Sequence, residues 1–152
     1  PADQRAPAVL EAALADFKRD YGQHLRDTTA PYPGIPEMLA KLKANGVQLA
    51  VFSNKADALA KEVVKDYFGT QYFTIVRGQM TGVAPKPAAE GTNALLQALH
   101  VGDSNVDVET AHNANLPCCG AVWGFRTREE LNAAGAEYLA ENSDELYDVI
   151  MK

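Results

Sequence analysis

The chain has almost no cysteine, no long apolar run and no basic stripe, and each lack removes a class of function. Its two cysteines, Cys118 and Cys119, are adjacent. Neighbours on a strand point to opposite faces, so the pair suits two small buried side chains better than a disulfide. The three histidines, His24, His100 and His112, are scattered, and no Cys/His spacing suits zinc. This usage predicts a reducing, cytoplasmic setting. No apolar stretch approaches the ~20 residues that span a bilayer, and no secretory leader pattern is present, so no membrane partner is expected. Lys and Arg number 14 against 20 Asp and Glu, for a net charge of −6 with the signs interspersed. Without a basic stripe to displace counterions from phosphates, nucleic acid is not the expected partner. A small phosphorylated ligand remains open, because a few local donors can hold one. The chain also lacks a methionine at its start, opening at Pro1 as though inside something longer.

What is present is the composition of a soluble globular domain, 47% hydrophobic and 22% charged over 152 residues. That length suffices for one domain with a proper core, or a core plus a small appendage. Val9, Leu10, Ala13, Leu14, Phe17, Tyr21 and Leu25 recur at three- and four-residue spacing, predicting an amphipathic helix over residues 7–26. Asp27 to Gly34 breaks all periodicity and reads as a hinge.

Beyond the hinge, strands and helices alternate. Pro36 opens a helix closed by Asn45-Gly46, and Val47 to Phe52 is an apolar run of strand length. Ser53-Asn54 is expected to open the next helix, which stops near Gly69, before a short strand over Phe73 to Val76. A loop from Arg77 to Pro85 leads through Lys86-Pro87 into a helix with Leu95, Leu96 and Leu99. Gly102-Asp103-Ser104 precedes a helix over Val108 to Asn115, then a strand over Cys118 to Trp123. Thr127 and Glu130 have capping-box spacing, Gly135 ends that helix, Tyr138 to Ala140 is a last strand, and Ser143 caps the final helix. The alternation predicts an α/β fold with a doubly wound parallel sheet. One place is physically awkward: between Ala98 and Val101 there is no turn and almost no strand, although such connections take 2–6 residues and a central strand about five. Roughly eight to ten residues are expected to be missing there.

Three strand ends then offer polar groups at one edge of the sheet, where open α/β sheets bind ligands. Ser53 and Asn54 supply a hydroxyl and amides for an anion, or serve as plain helix caps. Lys86 at a helix start stands on the wrong end of the macrodipole unless an anion faces it, or is a solvated lysine. Asp103 and Asp107 would repel each other unless a cation or lysine lies between them, or else cap the next helix. Each bland reading is common; all of them holding together is not.

In order and spacing, Val51-Phe52-Ser53-Asn54-Lys55, Lys86-Pro87 and Gly102-Asp103-Ser104-Asn105-Val106-Asp107 resemble the second, third and fourth motifs of the haloacid dehalogenase superfamily. The tail Trp123-Gly124-Phe125-Arg126-Thr127-Arg128-Glu129-Glu130-Leu131 is similar to a segment of its phosphoglycolate phosphatase branch. The resemblance implies a Rossmann-like core over residues 29–152 and, over 1–28, the last part of an inserted helical cap. It implies a Mg²⁺-dependent phosphomonoester hydrolase acting on a small phosphorylated metabolite through an aspartyl-phosphate. Ser53 and the amide of Asn54 would hold phosphate oxygens, and Lys86 would neutralise phosphate and nucleophile. Asp103 would ligate Mg²⁺, with Asp107 behind it. The superfamily's first motif, Asp-x-Asp-x-Thr after an N-terminal strand, is absent: no Asp-x-Asp precedes the hinge, and Asp16 and Asp20 lie on the first helix. The nucleophile, general acid and central strand are therefore expected outside this sequence. Alternatives are a phosphosugar mutase, a dehalogenase, or an inactive anion-binding domain if the chain is complete. A receiver domain is disfavoured because its Lys-Pro follows the phosphoacceptor, whereas Lys86 precedes Asp103. Oligomeric state is not legible.

Overall fold

The computed structural model describes residues 6–89 and 98–152. The chain divides into two units after Ala30. In the first, α1 (Pro7–Gln23) begins with proline in its first turn, where the missing N–H costs nothing. Its apolar face is exposed at Val9, Leu10, Leu14 and Phe17, with Phe17 stacked on Tyr21 at 5.3 Å. No helix among the described residues is long and apolar enough to cross a membrane.

The second unit runs α2 (Ile35–Ala44), β1 (Leu49–Ala56), α3 (Asp57–Phe68), β2 (Phe73–Gln79), β3 (His100–Gly102), α4 (Asn105–Asn113), β4 (Cys118–Ala121), α5 (Arg128–Ala133), β5 (Tyr138–Ala140) and α6 (Ser143–Ile150). All strand pairs are parallel, and the fold class is α/β as expected. The sheet, however, is in two pieces: β1 with β2, and β3-β4-β5. No strand among the described residues bridges β1 to β3. β3 has only three residues, too few to present a full ladder. The helix expected to lead into it has Leu95 and Leu96 outside the described residues, and its last expected residue, Leu99, is not helical. Ala98 to Val101, where the gap is expected, are described and pass directly into β3.

Two apolar cores hold this unit together. One packs Met38, Leu39 and Leu42 of α2 with Leu146 of α6, Cys119 and Ala140, and takes in Leu49 and Phe73 from the other sheet. The second, on the opposite face, joins Val108 and Ala111 of α4 with Leu116, Cys118 and Leu131 of α5. The adjacent cysteines thus serve opposite cores, as strand alternation requires. Both are free thiols, and burial pushes Cys118 up to about 12 and Cys119 to about 11. Both therefore stay protonated.

Several expected element edges need correction: α1 ends at Gln23, β2 runs on to Gln79 and β4 stops at Ala121. α6 is capped by Asn142, whose side chain accepts from the amides of Asp144 and Glu145; Ser143 is the first helical residue. α4 starts at Asn105 rather than Val108, because Ser104 turns the chain in an extended conformation and lets the helix begin at once. β1 runs past Phe52 to Ala56, so Ser53 and Asn54 are not at a helix start. The Thr127–Glu130 capping box forms at α5 as expected.

Candidate active site

Ser53 and Asn54 sit in a bulge. The register passes from Phe52↔Arg77 directly to Ala56↔Gln79, leaving Ser53, Asn54 and Lys55 opposite the single residue Gly78. Extra residues on one strand break the ladder and re-aim side chains. Gly78 makes the bulge possible: a Cβ there would come within 2.4 Å of the Lys55 carbonyl, while its N–H donates to Asp57 Oδ1 at 3.0 Å. The Ser53 hydroxyl accepts from the Lys55 amide at 3.1 Å, a local tie that fixes the hydroxyl in place of the expected helix N-terminus.

Asn54 works through its side chain. Its Oδ1 accepts from the Lys86 amide at 2.8 Å, and its Nδ2 donates to the Lys86 carbonyl at 3.3 Å. The Pro87 carbonyl is held at 2.8 Å by Asn113 Nδ2, at the end of α4. With its backbone held on both sides, Lys86 sends Nζ to Asp107 Oδ1 at 2.6 Å. Lys86 thereby joins the end of β1 in one sheet to α4 beside the other. Ser53, Asn54 and Lys86 also line a common shallow, open cleft with Phe52, Arg77 and Gly78.

Asp107 is the buried anion of the site, 7% exposed, in the first turn of α4, where the helix dipole favours a carboxylate. Ser104 Oγ donates to its Oδ2 at 2.6 Å, and His100 Nε2 stands 3.7 Å from its Oδ1. Burial pulls its pKa upward, but His100, Lys86 and Ser104 together outweigh burial and hold it far below the usual carboxylate range. Asp107 is ionised at neutral pH. Neither aspartate caps α4, because no side chain caps that helix; the Ser104 hydroxyl is spent on Asp107.

Gly102 sets the distance between β3 and this carboxylate. A Cβ at Gly102 would fall 2.2 Å from Asp107 Cβ and 2.7 Å from its Oδ2, a rigid overlap. Gly102→Ala is therefore expected to displace Asp107 and open the Lys86 contact, at about 2 kcal/mol, in the range of overpacking a close-fitted interior. Urea unfolding measures it; an unchanged midpoint would show that β3 can move away without cost.

Asp103, half-buried at the end of β3, faces the loop that follows β4. Its Oδ2 accepts from the Phe125 amide at 3.1 Å, and its main-chain carbonyl accepts from the Arg126 amide at 3.0 Å. Among the described residues no hydrogen bond takes up Oδ1, and no cluster of three or more His, Cys, Asp or Glu is placed to hold a metal. The donor set suits a hard cation that keeps most of its waters and accepts one or two carboxylates, which is how Mg²⁺ binds.

The fold and this geometry match a known group. A model of the haloacid dehalogenase-like hydrolase family covers residues 3–121. The chain belongs to that family. Among family members it is 33% identical over 135 residues to a phosphoglycolate phosphatase of Aquifex aeolicus, covering 78% of this chain and 63% of the relative. It is 31% identical over 153 residues to the probable phosphatase IndB of Dickeya dadantii, covering 95% and 65%. A crystal structure from Lactobacillus delbrueckii subsp. bulgaricus, provisionally named a phosphoglycolate phosphatase, superposes with a TM-score of 0.87 at 29% identity, covering 95% of this chain and 64% of the other. The chain spans less than two thirds of the length of these haloacid dehalogenase-like relatives.

Of the five residues singled out in the sequence, the structure brings Ser53, Asn54 and Lys86 to one cleft, and Lys86 to Asp107. Asp103 is not among the residues lining that cleft. Sequence reading missed Ser104, His100, Gly124 and Phe125. Ser104 lies within the fourth motif and Gly124 and Phe125 within the tail segment, but none of them carried a role there.

Proposed function

We propose that the full-length protein is a Mg²⁺-dependent phosphomonoester hydrolase of the phosphoglycolate phosphatase kind, acting on a small phosphorylated metabolite. The observation that carries this reading is Lys86: a cation held by Asn54 beside a shallow cleft and balanced by a buried Asp107. An amine so placed offers its remaining protons to an incoming phosphoryl group at little reorganisation cost, which is the main lever in phosphoryl transfer. Ser53 and the Asn54 segment bind the phosphoryl oxygens, Lys86 neutralises their charge, and Asp107 keeps Lys86 oriented. Asp103 and water hold Mg²⁺, which when bound spreads the negative charge of the transferring group. The aspartate that attacks phosphorus belongs to the family's first motif, which these 152 residues do not contain. Residues 1–28 are the end of the cap that selects the substrate, and two buried free cysteines suit a reducing cytoplasm.

The test is phosphate release from phosphoglycolate by the full-length protein, before and after metal removal. Release is expected to require Mg²⁺, to fall by about 10³-fold on chelation, and to return on adding Mg²⁺ back. Metal-independent release would end the reading. Slow release with a long-lived phosphoenzyme, formed from a sugar phosphate, would point to a mutase.

A further inference from the structure

The loop between β4 and α5 is built around Asp103. Gly124 lies against the carboxylate: a Cβ at that position would be 2.2 Å from Asp103 Cβ and 2.4 Å from Oδ2. Any other residue would have to push the aspartate aside. The next amide, Phe125 N–H, donates to Oδ2 at 3.1 Å, and the one after, Arg126 N–H, donates to the Asp103 carbonyl at 3.0 Å. Both ends of the loop are anchored. Gly124 N–H bonds the Ala121 carbonyl at 3.2 Å at the end of β4. Arg126 pairs with Glu130 at 3.2 Å, and Glu130 closes the capping box on Thr127. Phe125 is 75% exposed, so its side chain does little packing and its main chain makes the relevant contact.

From this geometry we propose that residues 124–126 form a collar that positions Asp103 for a divalent cation. The proposal rests on reading Asp103 as the metal carboxylate and names what orients it. The collar ties Oδ2 to a main-chain donor and leaves Oδ1 as the oxygen that reaches a cation. Gly124 and the Phe125 amide are thus positioning groups. Groups that orient a metal ligand in this way typically change metal affinity by about 10–100-fold when lost.

The test is calorimetric titration of the full-length protein with Mg²⁺ alone, with no substrate and no turnover, alongside thermal melts without metal. Gly124→Ala is expected to bind Mg²⁺ at least about tenfold more weakly than the wild type. Phe125→Pro removes the N–H and is expected to lose at least about ten times more affinity than Phe125→Ala, which keeps it. If Gly124→Ala does not fold, the Phe125 pair decides alone. Equal affinity in Phe125→Pro and Phe125→Ala, or wild-type affinity in a folded Gly124→Ala, would overturn the collar while Asp103→Ala still abolished binding. Wild-type Mg²⁺ affinity in Asp103→Ala would instead overturn the metal reading beneath it.

Discussion

Lys86→Met is expected to destabilise the protein by about 3 kcal/mol at neutral pH, the lower end of the cost of stranding a buried charge. The substitution keeps much of the stem but removes the amine 2.6 Å from Asp107 Oδ1. What remains is a carboxylate 7% exposed, with Ser104 Oγ as its hydrogen-bond donor and His100 at 3.7 Å. The loss has a pH dependence of fixed sign. In the wild type, the folded pKa of Asp107 lies below its unfolded value. Its contribution is therefore whole above the unfolded pKa, about 3.9, and is lost as pH falls through the folded value. In the variant the same carboxylate is buried with less to offset burial, and acidification relieves it. The deficit should be full at pH 7 and shrink below about pH 4. Urea melts followed by the fluorescence of Trp123, the chain's single tryptophan, read it directly. A deficit equal at pH 7 and pH 3 would show that methionine costs through packing instead.

Asp103→Ala is expected to separate function from stability. Its carboxylate is half-buried, and of its two oxygens only Oδ2 has a hydrogen-bond donor among the described residues, the Phe125 amide. Removing it strands no buried charge, so the melting temperature should move little. Phosphate release by the full-length protein should nonetheless fall by about 10³-fold, because several kcal/mol of charge stabilisation depend on the cation it holds. Activity persisting in this variant would assign the metal elsewhere. The two substitutions make a contrast: Lys86→Met should damage both fold and turnover, Asp103→Ala turnover alone.

Much of this was legible because it is local. The α/β alternation, the capping box at Thr127, Gly69 at the end of α3 and the opposite facing of Cys118 and Cys119 all follow from periodicities of two and 3.6 and from single-residue backbone preferences. The site residues were legible as a set, since a strand end, a lysine and two aspartates recur at family spacing. Their settings were not. Ser53 and Asn54 read as a helix start because a hydroxyl and an amide after an apolar run usually are one. The bulge that holds them exists only because β2 lies alongside and Gly78 leaves room for it.

The sequence by itself determined the element types and the residue chemistry at the strand ends, which depend on patterns within about ten residues. It also determined the family, which depends on the order and spacing of three such short motifs along the chain. The resemblance assigned Asp103 to the metal and Asp107 behind it; tertiary structure alone supplied the contacts that set the two carboxylates apart. Asp103 and Asp107 are four residues apart and chemically identical. One is taken by Lys86, across 21 residues, and becomes a buried counter-ion. The other is collared by Phe125, across 22 residues, and keeps an oxygen without a partner among the described residues. That division comes from long-range contacts with separate elements, which leave no mark on the spacing of the aspartates themselves.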